Sequence, residues 1–102
     1  MKTFKLKLLK VLNAGDKEIN FPLLDGLIIN QEDELDQNRW AIEAYLEKEH
    51  KVFFEKWGEK EISLLVKITR VENEPVVFRA NIISVNDIGE NINVLFKGEM
   101  IR

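Results

Sequence analysis

A chain of 102 residues, 45% apolar and 32% charged with a net charge of −3, has the size of one domain, residues 1–102, built on one core. Apolar residues run through every segment, which excludes a disordered chain. There is no cysteine, so disulfide frameworks, thiolate metal sites and cysteine nucleophiles are excluded, and the acidic balance speaks against a phosphate-binding surface. The longest apolar runs, such as Val76-Val77-Phe78 and Leu27-Ile28-Ile29, fall far short of the about 20 residues that a spanning helix needs. Lysines interrupt the basic start, Met1 to Lys10, where a signal peptide needs an apolar core. The expectation is a cytoplasmic protein that loses no leader and does not cross a membrane.

From Thr3 to Leu12 the chain alternates, with Phe4, Leu6, Leu8 and Leu12 on one face and Lys5 and Lys7 on the other, the period of a half-buried strand. Asn13-Ala14-Gly15-Asp16 is a turn, and Glu18 to Phe21 a short strand ended by Pro22. Asp25-Gly26 lies between the apolar runs Leu23-Leu24 and Leu27-Ile28-Ile29, which predicts a hairpin or bulge there. Asn30 to Asn38 is a polar loop crowded with Glu32, Asp33, Glu34 and Asp36. Arg39 to Leu46 alternates again, with Trp40, Ile42, Ala44 and Leu46 facing one way. Then the period changes. Leu46, His50, Phe53 and Trp57 follow helical spacing, Glu47 and Glu49 suit the start, and Lys56 and Gly58 suit the end, so the pattern predicts an amphipathic helix of about three turns over residues 47–57.

Glu61 to Val71, Val76 to Val85 and Ile92 to Ile101 are three further alternating strands joined by short turn-forming segments, an antiparallel meander. A ten-residue strand extends about 33 Å, well beyond the usual about 17–20 Å, and in so small a domain such strands must coil. The predicted fold is mainly β: an antiparallel barrel, or a closely related two-sheet sandwich, of about seven strands with one amphipathic helix. The meander also carries a surplus apolar face. Phe78, Ala80 and Ile82 occupy one side, while Val77, Ile83 and Val85 occupy the other, joined there by Leu65, Leu95 and Ile101. The helix or an oligomer partner is expected to cover that second side.

Met1-Lys2-Thr3-Phe4-Lys5-Leu6, the segment Pro22 to Asn30 and Trp40-Ala41-Ile42-Glu43-Ala44-Tyr45-Leu46 together resemble the YwpF-like proteins of low-GC Gram-positive bacteria. The resemblance covers most of the chain, and its motifs are structural rather than catalytic. It implies a β-barrel core similar to the tube-forming protein of type VI secretion systems, which assembles as hexameric rings. Members of the family can carry a C-terminal pair of helices; this chain stops at Arg102, directly after a strand, and reads as a short or trimmed member. The family brings no established activity, and likeness of fold transfers little function.

Chemistry is sparse. His50 is the only histidine and lacks the acid or histidine spacing of a general base or metal centre, so a place beside the apolar stripe of the helix is expected. The acidic loop has no glycine and is interrupted by Leu35, unlike a calcium loop. Ser63 and Ser84 sit in strands without a nucleophile elbow, and the glycines form no phosphate loop. No catalytic residue, cofactor or metal is predicted. Phe53, Phe54 and Trp57 are the candidate partner-contact residues, with the competing expectation that they cover the barrel. The leading functional expectation is therefore a non-catalytic interaction or assembly module, as a homo-oligomer or with another protein. The alternative is a single-strand nucleic-acid-binding barrel using Trp40, Tyr45, Phe78, Arg79 and the N-terminal lysines.

Overall fold

Among the described residues, the alternating segments become seven strands, and the helically spaced segment becomes one α-helix. The computed structural model describes residues 2–31, 35 and 37–101. In chain order these are β1 (Lys2–Ala14), β2 (Lys17–Asn20), β3 (Asp25–Asn30), β4 (Trp40–Glu47), a 3-10 turn (Lys48–His50), α1 (Lys51–Trp57), β5 (Ile62–Ile68), β6 (Val76–Ile88) and β7 (Asn91–Ile101). All pairings are antiparallel. The order β1-β3-β4-β7-β6-β5 closes on itself through β5 and β1, giving a six-stranded barrel, with β2 added as a hairpin on β1. Closure satisfies strand edges that an open sheet would leave unpaired.

Strand β1 is long enough to serve three partners. Its first residues pair with β3 (Lys2↔Asn30 to Lys5↔Leu27). Leu6 to Val11 pair with β5 on the other edge, and Lys10 to Ala14 with β2. A register shift between Leu6 and Leu8 leaves one extra residue on β1 and flips the strand's phase. Leu9 and Val11 are consequently buried at 0% exposure, in place of the Leu8 and Leu12 that strict alternation predicts. The same device recurs in β6, where Ile82 opposes Phe96 but Ser84 opposes Leu95. Val85 therefore turns toward the core and Ile83, at 52% exposure, stays outside.

Two further expectations are corrected. Asp25-Gly26 is not a turn: it opens β3, which pairs with β4 from Asp25↔Tyr45 onward. A Cβ on Gly26 would lie 2.9 Å from Leu6 Cβ, so the glycine is there for close approach. Strand β5 ends at Ile68 and not at Val71, because Thr69 takes a positive φ of 72° and cannot continue the ladder.

The barrel is filled by side chains. Ile28, Ile42, Leu46, Ile62, Leu64, Val66, Phe78, Ile92, Val94 and Phe96 are all at 0–1% exposure, as expected of a barrel too narrow for a lumen. One end is closed by Trp40, whose ring meets Phe78 edge-on at 5.5 Å. The other end is closed by the helical segment, which comprises residues 48–57 and starts as a 3-10 turn. Asp87 at the end of β6 grips that start through Lys51 (3.1 Å) and Lys48 (3.8 Å), while Asn81 Nδ2 donates to the Glu59 carbonyl beyond its far end. These two ties lay α1 along the half of β6 that β5 does not reach. The helix thus plugs the barrel and flanks an edge; it does not cover the outer face of the meander.

Candidate functional site

The helix aromatics were the candidate contact residues, and the structure gives each a different environment. Phe54 points into the barrel at 1% exposure, with its ring 4.8 Å from Phe21, 5.0 Å from Phe53 and 5.8 Å from Phe96. Phe53 is half-buried against Phe21 at 5.0 Å. Trp57 is half-buried, donates Nε1–H to the Lys60 carbonyl and carries the Lys60 ammonium 4.3 Å above its ring. The exposed apolar residue of α1 is Val52, at 55%. A partner meeting this helix would touch Val52 and the rims of Phe53 and Trp57, with Phe54 enclosed by its own chain.

His50 packs edge-on against Phe21 at 5.2 Å, and its Nε2 lies 3.8 Å from Glu49. Among the described residues no three of His, Cys, Asp and Glu converge as a metal would require. The acidic residues Glu32, Asp33, Glu34 and Asp36 lie outside the described residues. Among the described residues three titrating groups are displaced, all at structural ties. The Gly26 backbone N–H, and then Lys5, hold the Asp25 carboxyl below its ordinary value. The Lys51 hydrogen bond does the same to Asp87, and Asp87 in turn raises Lys51. These shifts report fold-stabilising contacts.

Nucleic-acid stacking needs exposed rings. Trp40 is 8% exposed and Phe78 0%, so both are core, and Arg79 is held by Glu99 (3.3 Å) and Glu61 (3.9 Å). Arg79, Glu61 and Glu99 form part of an open polar groove of about 370 Å³ on the outside of β4, β7 and β6, together with Arg39, Lys97, Asn81 and Asn38. Its polar groups are largely turned on one another. Asn38 accepts from the Trp40 indole (3.0 Å) and exchanges two hydrogen bonds with the backbone of Met100 (both 2.9 Å), stitching the β3–β4 connection to β7.

A second surface is apolar. The pairings Lys10↔Leu65, Leu65↔Val77 and Val77↔Ile101 set these four residues side by side across β1, β5, β6 and β7. Their chain neighbours Leu9, Val11, Leu64, Val66 and Phe78 are in the core, so strand alternation turns the whole row outward. Lys10, Leu65 and Val77 are half-buried, and Ile101 is 41% exposed. The neighbouring pair Leu8↔Lys67 continues the patch. Among the described residues, no carboxylate stands within ion-pair distance of Lys10 or Lys67; Lys67 donates instead to the Val71 carbonyl at 2.8 Å.

A family model of YwpF-like proteins matches residues 2–102. The chain belongs to the YwpF-like family. It is 42% identical over 106 residues to the uncharacterized protein YwpF of Bacillus subtilis, an alignment covering 99% of this chain and 76% of the relative. Its fold matches the crystal structure of a hypothetical protein from Staphylococcus aureus with a TM-score of 0.86 at 28% identity, over all of this chain and 71% of the other. Among the described residues, this YwpF-like chain has no helix long and apolar enough to cross a membrane.

Sequence reasoning found three of the four residues of the outer row of this YwpF-like barrel. Val77, Leu65 and Ile101 fall on the expected second face, and Leu95 also faces outward, beside Glu43. Lys10 was missed because the β1 register shift sets its direction. The groove was missed because Arg39, Lys97 and Glu61 are far apart in sequence and are brought together only by the pairing of β4, β7, β6 and β5.

Proposed function

We propose that this YwpF-like protein is a cytoplasmic, non-catalytic interaction module that docks a protein partner on the outer wall formed by β1, β5, β6 and β7. The observation that carries the reading is the outward row Lys10–Leu65–Val77–Ile101. The core beneath it is complete without these residues, and the helix that was the internal candidate to cover them is engaged at the barrel's end. Apolar surface gathered in one patch, with lysines at its margin, is the composition of a contact surface.

Photo-crosslinking tests it. A photoreactive residue at position 77, in the wall, is compared with one at position 18, in the short strand β2. A discrete adduct from position 77, lost when Leu65→Lys is added, is the expected result. Equal labelling from both positions, or no adduct, removes the support for this wall. Titration with single-stranded oligonucleotides at low salt is expected to show no binding, and saturable binding that fades with salt would favour a nucleic-acid partner instead.

A further inference from the structure

The outer row carries a charge that its own neighbours do not balance. Lys10 and Lys67 are half-buried beside Leu65 and Leu8. In a chain with 18 acidic residues against 15 lysines and arginines, neither has a carboxylate within ion-pair distance among the described residues. The next charged pair along the wall, Arg79 opposite Glu99, is closed on itself at 3.3 Å and supplies no anion to them. Apolar surface with two unneutralised ammonium groups at one end is complemented by apolar side chains with carboxylates at one end.

The spacing selects a helix. Neighbouring strands lie about 4.8 Å apart, so Leu65, Val77 and Ile101, on consecutive strands, form steps close to the about 5.4 Å pitch of an α-helix. Lys10 and Lys67 are diagonal neighbours across β1 and β5. Their Cα atoms are about 7–8 Å apart, within reach of two carboxylates three or four residues apart on one helix face. We propose that the occupant of the wall is an acidic amphipathic helix of a partner protein. Its apolar stripe lies across Leu65, Val77 and Ile101 while its carboxylates meet Lys10 and Lys67.

The inference rests on the reading of the wall as a docking surface and names the chemistry of its partner. Other occupants fit the charge less well. Two copies meeting wall to wall would gather Lys10 and Lys67 from each side in an apolar contact with no anion to pair them. Anionic lipid surfaces are met by clusters of about four to eight lysines and arginines, and they repel a chain with a net charge of −3. A single helix is a local contact. Charges more than about 10 Å away are screened at 0.1 M salt, so the two lysines decide.

Three synthetic helices of about 15 residues test it, by amide-shift titration of the isotope-labelled full chain at low salt. The first carries leucines at i, i+3 and i+7 with two glutamates four apart beside that stripe. The second has lysines in place of the glutamates, and the third keeps the glutamates but scatters the leucines. The first is expected to bind at least about tenfold more tightly than the others, with shifts gathered on β1, β5, β6 and β7. Lys10→Glu with Lys67→Glu is expected to invert the preference toward the lysine helix, which a misfolded variant does not do. Lys10→Gln with Lys67→Gln is expected to level the two affinities.

Equal wild-type affinity for the glutamate and lysine helices overturns the proposal, as do shifts that lie off the wall or a reversed variant that still prefers glutamate. Failure of all three helices to bind at up to about 1 mM also overturns it. So does co-sedimentation with phosphatidylglycerol vesicles by a chain that ignores the glutamate helix, which assigns the wall to a lipid surface. In each case the adduct from position 77 separates the two ideas. A discrete adduct with a protein leaves the wall as a docking surface and removes only the acidic helix, whereas no adduct removes both.

Discussion

Truncating Phe54 to alanine asks whether α1 is a structural plug or a segment held in reserve for a partner. The Phe54 ring is at 1% exposure and meets Phe21, Phe53 and Phe96 at 4.8, 5.0 and 5.8 Å. Removing a phenylalanine from such a site costs about 3–5 kcal/mol, because transfer and cavity terms add. Against a total of about 5–15 kcal/mol for a domain that is a large share, and it lowers the melting midpoint by about 12 °C or more. Trp57→Ala is the internal control. Its ring is half-buried and held by one hydrogen bond to Lys60 and one cation contact, so its loss is about 1–2 kcal/mol. Urea unfolding with a common slope measures both, and Phe54→Leu, which keeps most of the volume, remains measurable should the alanine variant not fold. If Phe54→Ala costs no more than Trp57→Ala, the helix does not close the barrel and the account of this end of the fold is wrong.

Gly98→Ala is expected to cost at least about 2 kcal/mol, because its Cβ would stand 2.6 Å from Ala80 Cα and 2.7 Å from Ala80 Cβ, forcing β7 away from β6. Gly15→Ala, in open space but at φ 66°, is expected to lose only about 1 kcal/mol, and equal losses in denaturant would refute the close-approach argument. Thr69→Gly is expected to gain about 1 kcal/mol, since relieving a β-branched residue at φ 72° outweighs the added chain entropy; a destabilised variant refutes it. Asp87, bonded to Lys51, has its carboxyl held below the ordinary 3.8. Its contribution is therefore present above the unfolded-state value and lost as pH falls through the lower folded value. Lys51 is raised above 10.5, so its share is present below that value and lost as pH rises through the folded one. Melting of wild type and Asp87→Asn is expected to converge as pH falls from 6 toward 2, and a constant gap would count against the clasp.

Strand identity was legible because apolar alternation is a local property. Fold class followed, since strands as long as β6 and β7 must coil. Phase was not legible. Alternation alone puts Leu8 and Leu12 inside, and only the pairing of β1 with β5 shows that Leu9 and Val11 replace them. Asp25-Gly26 carried a turn signature, but packing of Gly26 against Leu6 overrode it. The helix was placed correctly along the chain because its spacing is local. Its destination was not, because the carboxylate that anchors it, Asp87, lies 36 residues away from Lys51. The aromatic trio carried two expectations, cover for the barrel ahead of partner contact, and spacing alone does not show that Phe54 is the one that points inward.

The same two irregularities that hid the phase also shape the surface. Without the extra residue in β1, even-numbered positions would stay inside, burying Lys10 and exposing Leu9. The register shift exchanges them, saving the core an unpaired ammonium and setting that ammonium beside Leu65 on the outer wall. In β6 the extra residue sends Val85 into the core and carries Asp87 to the side on which Lys48 and Lys51 wait. One bulge thus writes the cationic margin of the outer row, and the other fastens the plug that keeps α1 from covering it. Removing Lys7 from β1 would slip every later residue of the strand by one position. That single deletion is expected to damage both core and wall, whereas Lys10→Glu reverses the charge of the wall and leaves the core intact.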